Sequence, residues 1–375
     1  MTLERLTKIR RDLHQIPEIG FDLEKTYAYV KNELESMGFK PLTYAKTGLV
    51  VVIEGLSKEA IAFRADMDGL PVLEGTKVDF ESKHVGNMHA CGHDGHTTML
   101  LGFAEYLSNM PKPNQTIVLI FQPAEEGPGG AAVIIKEGLF KDYNIKEIHG
   151  LHLFPGLDEG IVGLKRGPML ARNAEFDFII HGKSSHGAQP QSGIDAVLAA
   201  SQFVVLLNQI VSRYIDPLEP AVITTGKIEG GEARNIIANK VKISGTIRAF
   251  NDQIFELLKR KMMDAKLSIE SFYGVSIDDF IVDYYPAVDN DSALYEEVKA
   301  SLKDHEIVEL KPMMFSEDFA FYQKEVPGVF SFIGTKNINK DFIHPLHSNF
   351  FNFDEKVLLN GLKYFIDIVQ YKKMF

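Results

Sequence analysis

Short apolar runs alternate with helix-period segments through the first 150 residues, and this alternation restricts the chain to a sheet with helices packed on its faces. Residues 49–53 and 60–63 are β-branched or aromatic runs. Residues 116–121 form a longer run, and residues 148–153 a fourth that is interrupted by His149 and His152. Around them, Leu3, Leu6, Ile9 and Leu13, then Tyr27, Val30, Leu34 and Met37, recur at helical spacing. Residues 97–107 and 131–138 read as further helices. In such sheets the polar residues at the carboxyl ends of strands face the ligand crevice. Asp66 and Asp68 follow one strand here, and Glu125 and Glu126 follow another.

The pattern changes near Ala174. A strand at 175–182 is followed by a helix at 195–211, strands at 221–228 and 241–250, a helix at 254–273 and a strand at 276–284. Strand–helix–strand–strand–helix–strand is the order of a ferredoxin-like unit. Residues 293–303, 329–334 and 354–369 then return to helix, strand and helix. A chain of 375 residues is long enough for two cores at about 150 residues each. The expected architecture is a mixed-sheet α/β catalytic domain built from residues 1–173 and 291–375. An α+β domain at 174–290 is inserted into it.

A net charge of −11 argues against a general nucleic-acid binder, which would carry a basic face. The single cysteine excludes an intrachain disulfide, and the charged amphipathic N-terminus lacks the apolar core of a secretory signal. No uninterrupted apolar run reaches the roughly 18 residues of a membrane span. These features read as a cytoplasmic protein that engages neither nucleic acid nor membrane.

The one cysteine sits in the densest group of metal-ligand types. Residues 88–96 read Met-His-Ala-Cys-Gly-His-Asp-Gly-His. Imidazole and thiolate suit zinc, nickel, cobalt or manganese to differing degrees. A polar loop with one buried thiol would give the same run of letters, and acids at strand ends also serve as helix caps. The conjunction carries more weight than any one pair. Eight of the twelve histidines fall in three groups, at 84, 89, 93 and 96, at 149 and 152, and at 344 and 347. Two neighbouring metals need four to six ligands and a base for the shared water, which this inventory supplies. Adjacent glutamates on an extended chain point different ways, so one can bind metal while the other stays free for proton transfer.

These motifs resemble the cocatalytic metallo-aminoacylase and carboxypeptidase superfamily over essentially the whole chain. The match is to the amidohydrolase branch of hippurate hydrolases, auxin-conjugate hydrolases and N-acetyldiaminopimelate deacetylases. The markers lie at residues 11–18, 64–71, 89–96, 121–127, 150–152, 185–187, 316–319 and 346–348. The resemblance implies two divalent metal ions per subunit, manganese, nickel, cobalt or zinc, on Cys91, His93, Glu126, His152 and His347. It makes Glu125 the general base acting on a metal-activated water, and Asp68 the residue that orients a ligand histidine. Asp66 is a further catalytic candidate or a simple strand-end acceptor. His186 would stabilise the oxyanion, often across a dimer interface, and Asn235 and Arg248 would grip the substrate carboxylate. The inserted domain becomes a lid and dimerisation domain, giving a homodimer. His89 and His96 are expected only to support the loop, and His14 and Glu18 to set helix packing.

Small departures from the usual pattern, Gly69, Ser184, Ser185 and Asn349, touch walls and hinge rather than ligands. The reaction implied is hydrolysis of the amide bond of N-acyl amino acids. Deacetylation of N-acetyl-L,L-diaminopimelate in lysine biosynthesis is the more specific alternative. A cysteine amidase using Cys91 would leave Glu125, Glu126, His152 and His347 without work, and a non-catalytic binding protein on the same fold would be expected to lose the base or a ligand, none of which is missing here.

Overall fold

The apolar runs pair into an eight-stranded mixed sheet. Its order is Leu42–Tyr44, Gly48–Ile53, Gln115–Gln122, Ser57–Asp66, Ile145–Asp158, Gly328–Lys336, Val162–Leu164 and Ile307–Glu309. The central strands run parallel: Ser57–Asp66 pairs with both Gln115–Gln122 and Ile145–Asp158, and Ile145–Asp158 with Gly328–Lys336. These strands are buried along most of their length, as expected of a parallel sheet covered by helices. The computed structural model describes residues 1–375, and this sheet belongs to a unit of Met1–Met169, Asp289–Lys311 and Asp318–Phe375.

The helix after the histidine cluster starts four residues earlier than its periodicity suggests, spanning His93–Ser108. Two glycines and two histidines between 92 and 96 weaken the local helix signal, while burial on nearly every side supplies the missing stability. Gly92 precedes it in the left-handed region at φ +87°, where a Cβ would also stand 3.2 Å from Leu153 Cδ1. The helix expected at 131–138 spans Gly130–Lys136, and a separate short helix, Leu139–Asp142, follows Gly138 at φ +100°.

The second unit contains Leu170–Val288 and also Pro312–Glu317, a segment the sequence pattern leaves with the first. The reason is hydrogen bonding: Ala171 N donates to Phe315 O at 2.7 Å, and Arg248 Nη1 to Met314 O at 2.8 Å. The sheet here is antiparallel, ordered Ala221–Gly230, Lys240–Ala249, Arg172–His181 and Ser276–Asp283. Helices Ala196–Tyr214 and Asp252–Tyr273 start at side-chain caps from Asp195 and Asn251. The first of these is long and apolar enough to cross a membrane by composition, but Phe203, Leu207 and Ile210 are buried in this unit's core with Phe178, Ile243 and Phe255.

The first unit's core closes over Phe63, fully buried, with the rings of Phe103 and Phe365 at 4.9 and 5.6 Å. Phe63→Ala should lower this unit's unfolding free energy by about 3–5 kcal/mol in urea titration. A loss below about 1 kcal/mol would contradict this packing.

Candidate metal centre

Three parallel strands and one helix start bring their side chains together toward the carboxyl edge of the first unit's sheet. Asp66 stands level with Gln122 in the register, and His152 lies two residues beyond Gly150, which pairs with Arg64. After Gln122 the chain turns through Ala124 at φ +60°, and both following peptide N–H groups bond one carboxylate. Glu125 N donates to Asp68 Oδ1 at 3.0 Å and Glu126 N to Asp68 Oδ2 at 3.1 Å. Asp68 thereby fixes where both glutamates begin.

His93, on the first helical turn, is fully buried at the focus of these acids. Its Nδ1 lies 3.4 Å from Asp68 Oδ1, and its Nε2 lies 3.8 Å from Asp66 Oδ2 and 3.9 Å from Glu125 Oε2 and Glu126 Oε1. Neither ring nitrogen is in line for a hydrogen bond. Cys91 Sγ stands 3.5 Å from His152 Nε2, and His152 Nδ1 donates to Leu153 O at 2.7 Å. His347 Nε2 is 3.2 Å from Glu126 Oε1. His347 itself sits at φ +65°, held by its N–H on Ala90 O at 2.9 Å.

Five three-residue sets of donor atoms lie close enough together to hold a metal, Asp66–His93–His96 and His93–Glu125–Glu126 among them; two of the five, Cys91–His93–His152 and Cys91–Glu126–His347, share a residue with a thiol, each with all ligand atoms within 4.8 Å of one another. Cys91 belongs to both. Sulfur, imidazole and carboxylate donors suit borderline divalent metals, and a shared thiolate suits a bridged pair. The unpartnered His93 nitrogens and the unbonded Glu126 Oε1 fit the same conclusion, because buried polar atoms without partners are costly unless a cation takes them.

The field is strongly negative. Burial opposes charge on His93, but Asp66, Asp68 and Glu126 push its pKa up to about 10. Burial, and then Glu126, Glu125 and Asp66, push the Cys91 thiol well up. A thiol held neutral in this way is a poor nucleophile, which weighs against a cysteine amidase. Burial would raise Asp66 too, yet His93, His96 and Arg64 hold it well below the usual carboxylate range.

Other residues separate from this group. His149 turns to Glu147 Oε1 at 3.0 Å and stacks on Phe63, away from the acids. His344 is partly exposed beside Phe350. His14 sets both ring nitrogens against carboxylates, Asp94 at 2.8 Å and Glu74 at 3.1 Å, and Arg10 Nε also reaches Asp94 at 3.0 Å. That buried anchor ties the N-terminal helix to the start of the His93 helix. Glu18 accepts from Lys25 N and Thr26 N, capping the second helix. Arg64, Gln122 and Asp318 lie within the marker segments without a role the sequence assigns; in the structure they form a buried polar group directly behind Asp66. The even spacing of Arg64 and Asp66 on one strand face was the available signal.

In the second unit, His186 pairs with Ile236 and is exposed. Its Nδ1 accepts from Ala188 N at 3.1 Å, so the neutral ring carries its proton on Nε2. Asn235 O accepts from Gly187 N at 2.8 Å. Arg248 is half-buried, and burial, partly offset by Glu175, lowers its pKa.

Because ligation needs thiolate and neutral imidazole, loading divalent metal near pH 7 should expel about two protons, from Cys91 and His93. Calorimetry in buffers of different ionisation enthalpy reads this directly, and loading without proton release would contradict the arrangement.

Residues 62–371 match the family model described as Peptidase family M20/M25/M40. The chain is 41% identical over 364 residues to IAA-amino acid hydrolase ILR1-like 4 of Arabidopsis thaliana, covering 94% of this chain and 82% of that protein. It is 37% identical over 360 residues to the N-acetyldiaminopimelate deacetylase of Exiguobacterium sibiricum, covering 95% and 96%. Among solved structures, a dinuclear metal-binding peptidase of the M20 family from Bacillus subtilis has a TM-score of 0.86 at 30% identity, over 99% of both chains. Sequence and fold agree: this chain belongs to the M20/M25/M40 peptidase family.

Proposed function

We propose that this hydrolase cleaves the amide bond of N-acyl amino acids, with two divalent metal ions, manganese, nickel, cobalt or zinc, held by Cys91, His93, Glu126, His152 and His347. The observation that carries the reading is the pair of ligand groups sharing Cys91, with a buried carboxylate, Glu125, beside them. Cations in those positions would lower the pKa of a water and polarise the amide carbonyl.

Glu125 takes a proton from the water as its oxygen attacks the carbonyl carbon. When the carbon–nitrogen bond breaks, the same carboxyl gives that proton to the departing amine, leaving a carboxylate and a free amino acid. Asp68 keeps Glu125 and Glu126 in their separate roles through the two peptide N–H bonds. His186, with its proton on Nε2, donates to the carbonyl oxygen as charge builds there. Arg248 and Asn235 receive the substrate carboxylate, for which a planar guanidinium is a bidentate partner.

The second unit serves as lid and dimerisation domain. Exposed Val197, Leu198 and Val205 on its Ala196–Tyr214 helix are surface that a homodimer would cover. The single cysteine and acidic charge fit a cytoplasmic enzyme. N-acetyl-L,L-diaminopimelate deacetylation is the second reading, favoured by the relative of that name at 37% identity.

Purified protein with each metal should release amino acid from a panel of N-acetyl, N-benzoyl and N-acetyldiaminopimelate substrates, and a chelated control should not. Glu125→Gln should lower kcat by about 10²–10⁴-fold at unchanged metal content. Turnover that survives chelation, or a fully active Glu125→Gln, would sink the reading.

A further inference from the structure

We infer that His96 is a positioning residue that fixes the His152 ring against Cys91, acting through the Leu153 main chain and anchored by Asp66. The inference rests on the two-metal reading above.

His93 and His96 are three residues apart on one helix face, and both are buried. Their ring nitrogens are used in opposite ways. Those of His93 have no hydrogen-bond partner, whereas both of His96 are taken. His96 Nε2 accepts from Leu153 N at 2.9 Å, so its proton lies on Nδ1 and is donated to Asp66 Oδ1 at 2.6 Å. No lone pair is left on that ring for a metal.

Leu153 N is available because the Ser57–Asp66 strand stops pairing with its neighbour at Arg64 and Gly150. The same residue accepts at its carbonyl from His152 Nδ1, which directs His152 Nε2 toward Cys91 Sγ. The rings of His96 and His152 are 4.3 Å apart. One residue of backbone thus receives His96 at its N–H and the ligand histidine at its C=O.

Asp66 cannot drift. Its Oδ2 accepts from Arg64 Nη1 at 2.8 Å and its carbonyl from Thr97 Oγ1 at 2.7 Å. Arg64 in turn donates to Gln122 Oε1 and to Asp318 Oδ1, at 2.9 and 2.8 Å. Asp318 also accepts from Ala131 N at 2.9 Å. A continuous buried rail therefore runs from Asp318 through Arg64, Asp66 and His96 to His152. It reaches the Cys91–His93–His152 group, while Glu126 and His347 are held by other partners, Asp68 and Ala90.

The test is a cobalt(II) titration of full-length, metal-stripped protein, read by the thiolate charge-transfer and d–d bands. His152→Ala and His347→Ala assign the two binding phases. His96→Phe removes both hydrogen bonds and should weaken one phase by about 10- to 100-fold, the phase lost in His152→Ala. The phase lost in His347→Ala should be unchanged. His96→Gln keeps one donor and one acceptor and should recover part of the loss; should the Phe variant not fold, the Gln variant and Asp66→Asn must still show the selective weakening. Equal weakening of both phases, or weakening of neither in a folded variant, overturns the inference. Wild-type protein that binds no cobalt overturns the two-metal reading itself.

Discussion

Buried negative charge around His93 is the constraint on which the rest of the structure depends. Asp66, Asp68, Glu125 and Glu126 all bring an oxygen within 4 Å of one imidazole. Carboxylates in a buried site repel one another strongly and are tolerated only where cations or hydrogen bonds offset them. Peptide N–H groups offset Asp68, and Arg64 and His96 offset Asp66. Glu125 and Glu126, with the Cys91 thiol beside them, face the space that two metal ions would neutralise. Activity and charge balance are one problem here, because the cations that make the site tolerable also make the water reactive.

The scaffold answers that constraint with short, direct connections. Each acid sits at or just past the end of a parallel strand, and the helix carrying His93 begins at a left-handed glycine packed against Leu153. The positions are rigid because Arg10, His14, Arg64 and Asp318 are buried and hydrogen-bonded behind them. Asp68, Cys91, Glu125, Glu126 and His347 lie in turns and loops, which this close-packed interior holds in place.

Much of this was legible in the residues. Apolar spacing located most of the strands and helices, since period two and period 3.6 differ plainly over eight or more residues. The order of elements in the second unit matched the sheet that formed, with the 172–181 strand between 240–249 and 276–283. Ligand types were legible because so few residues can hold a metal. Function beyond that was harder to read. His149 and His152 looked like a pair, yet three residues apart on a strand they face opposite sides, and only His152 reaches Cys91, His149 turning to Glu147 instead. His93 and His96 share a helix face, and only their partners distinguish them: both nitrogens of His96 are hydrogen-bonded and neither of His93 is. Pro312–Glu317 joined the second unit through backbone bonds that no side-chain pattern advertises.

The central claim is a metal pair bridged by Cys91, and anomalous diffraction from crystals of the metal-loaded protein tests it most directly. The account predicts two strong peaks, one among Cys91, His93 and His152 and one among Cys91, Glu126 and His347, with the sulfur between them. A single peak, or a pair that leaves Cys91 out, would contradict it.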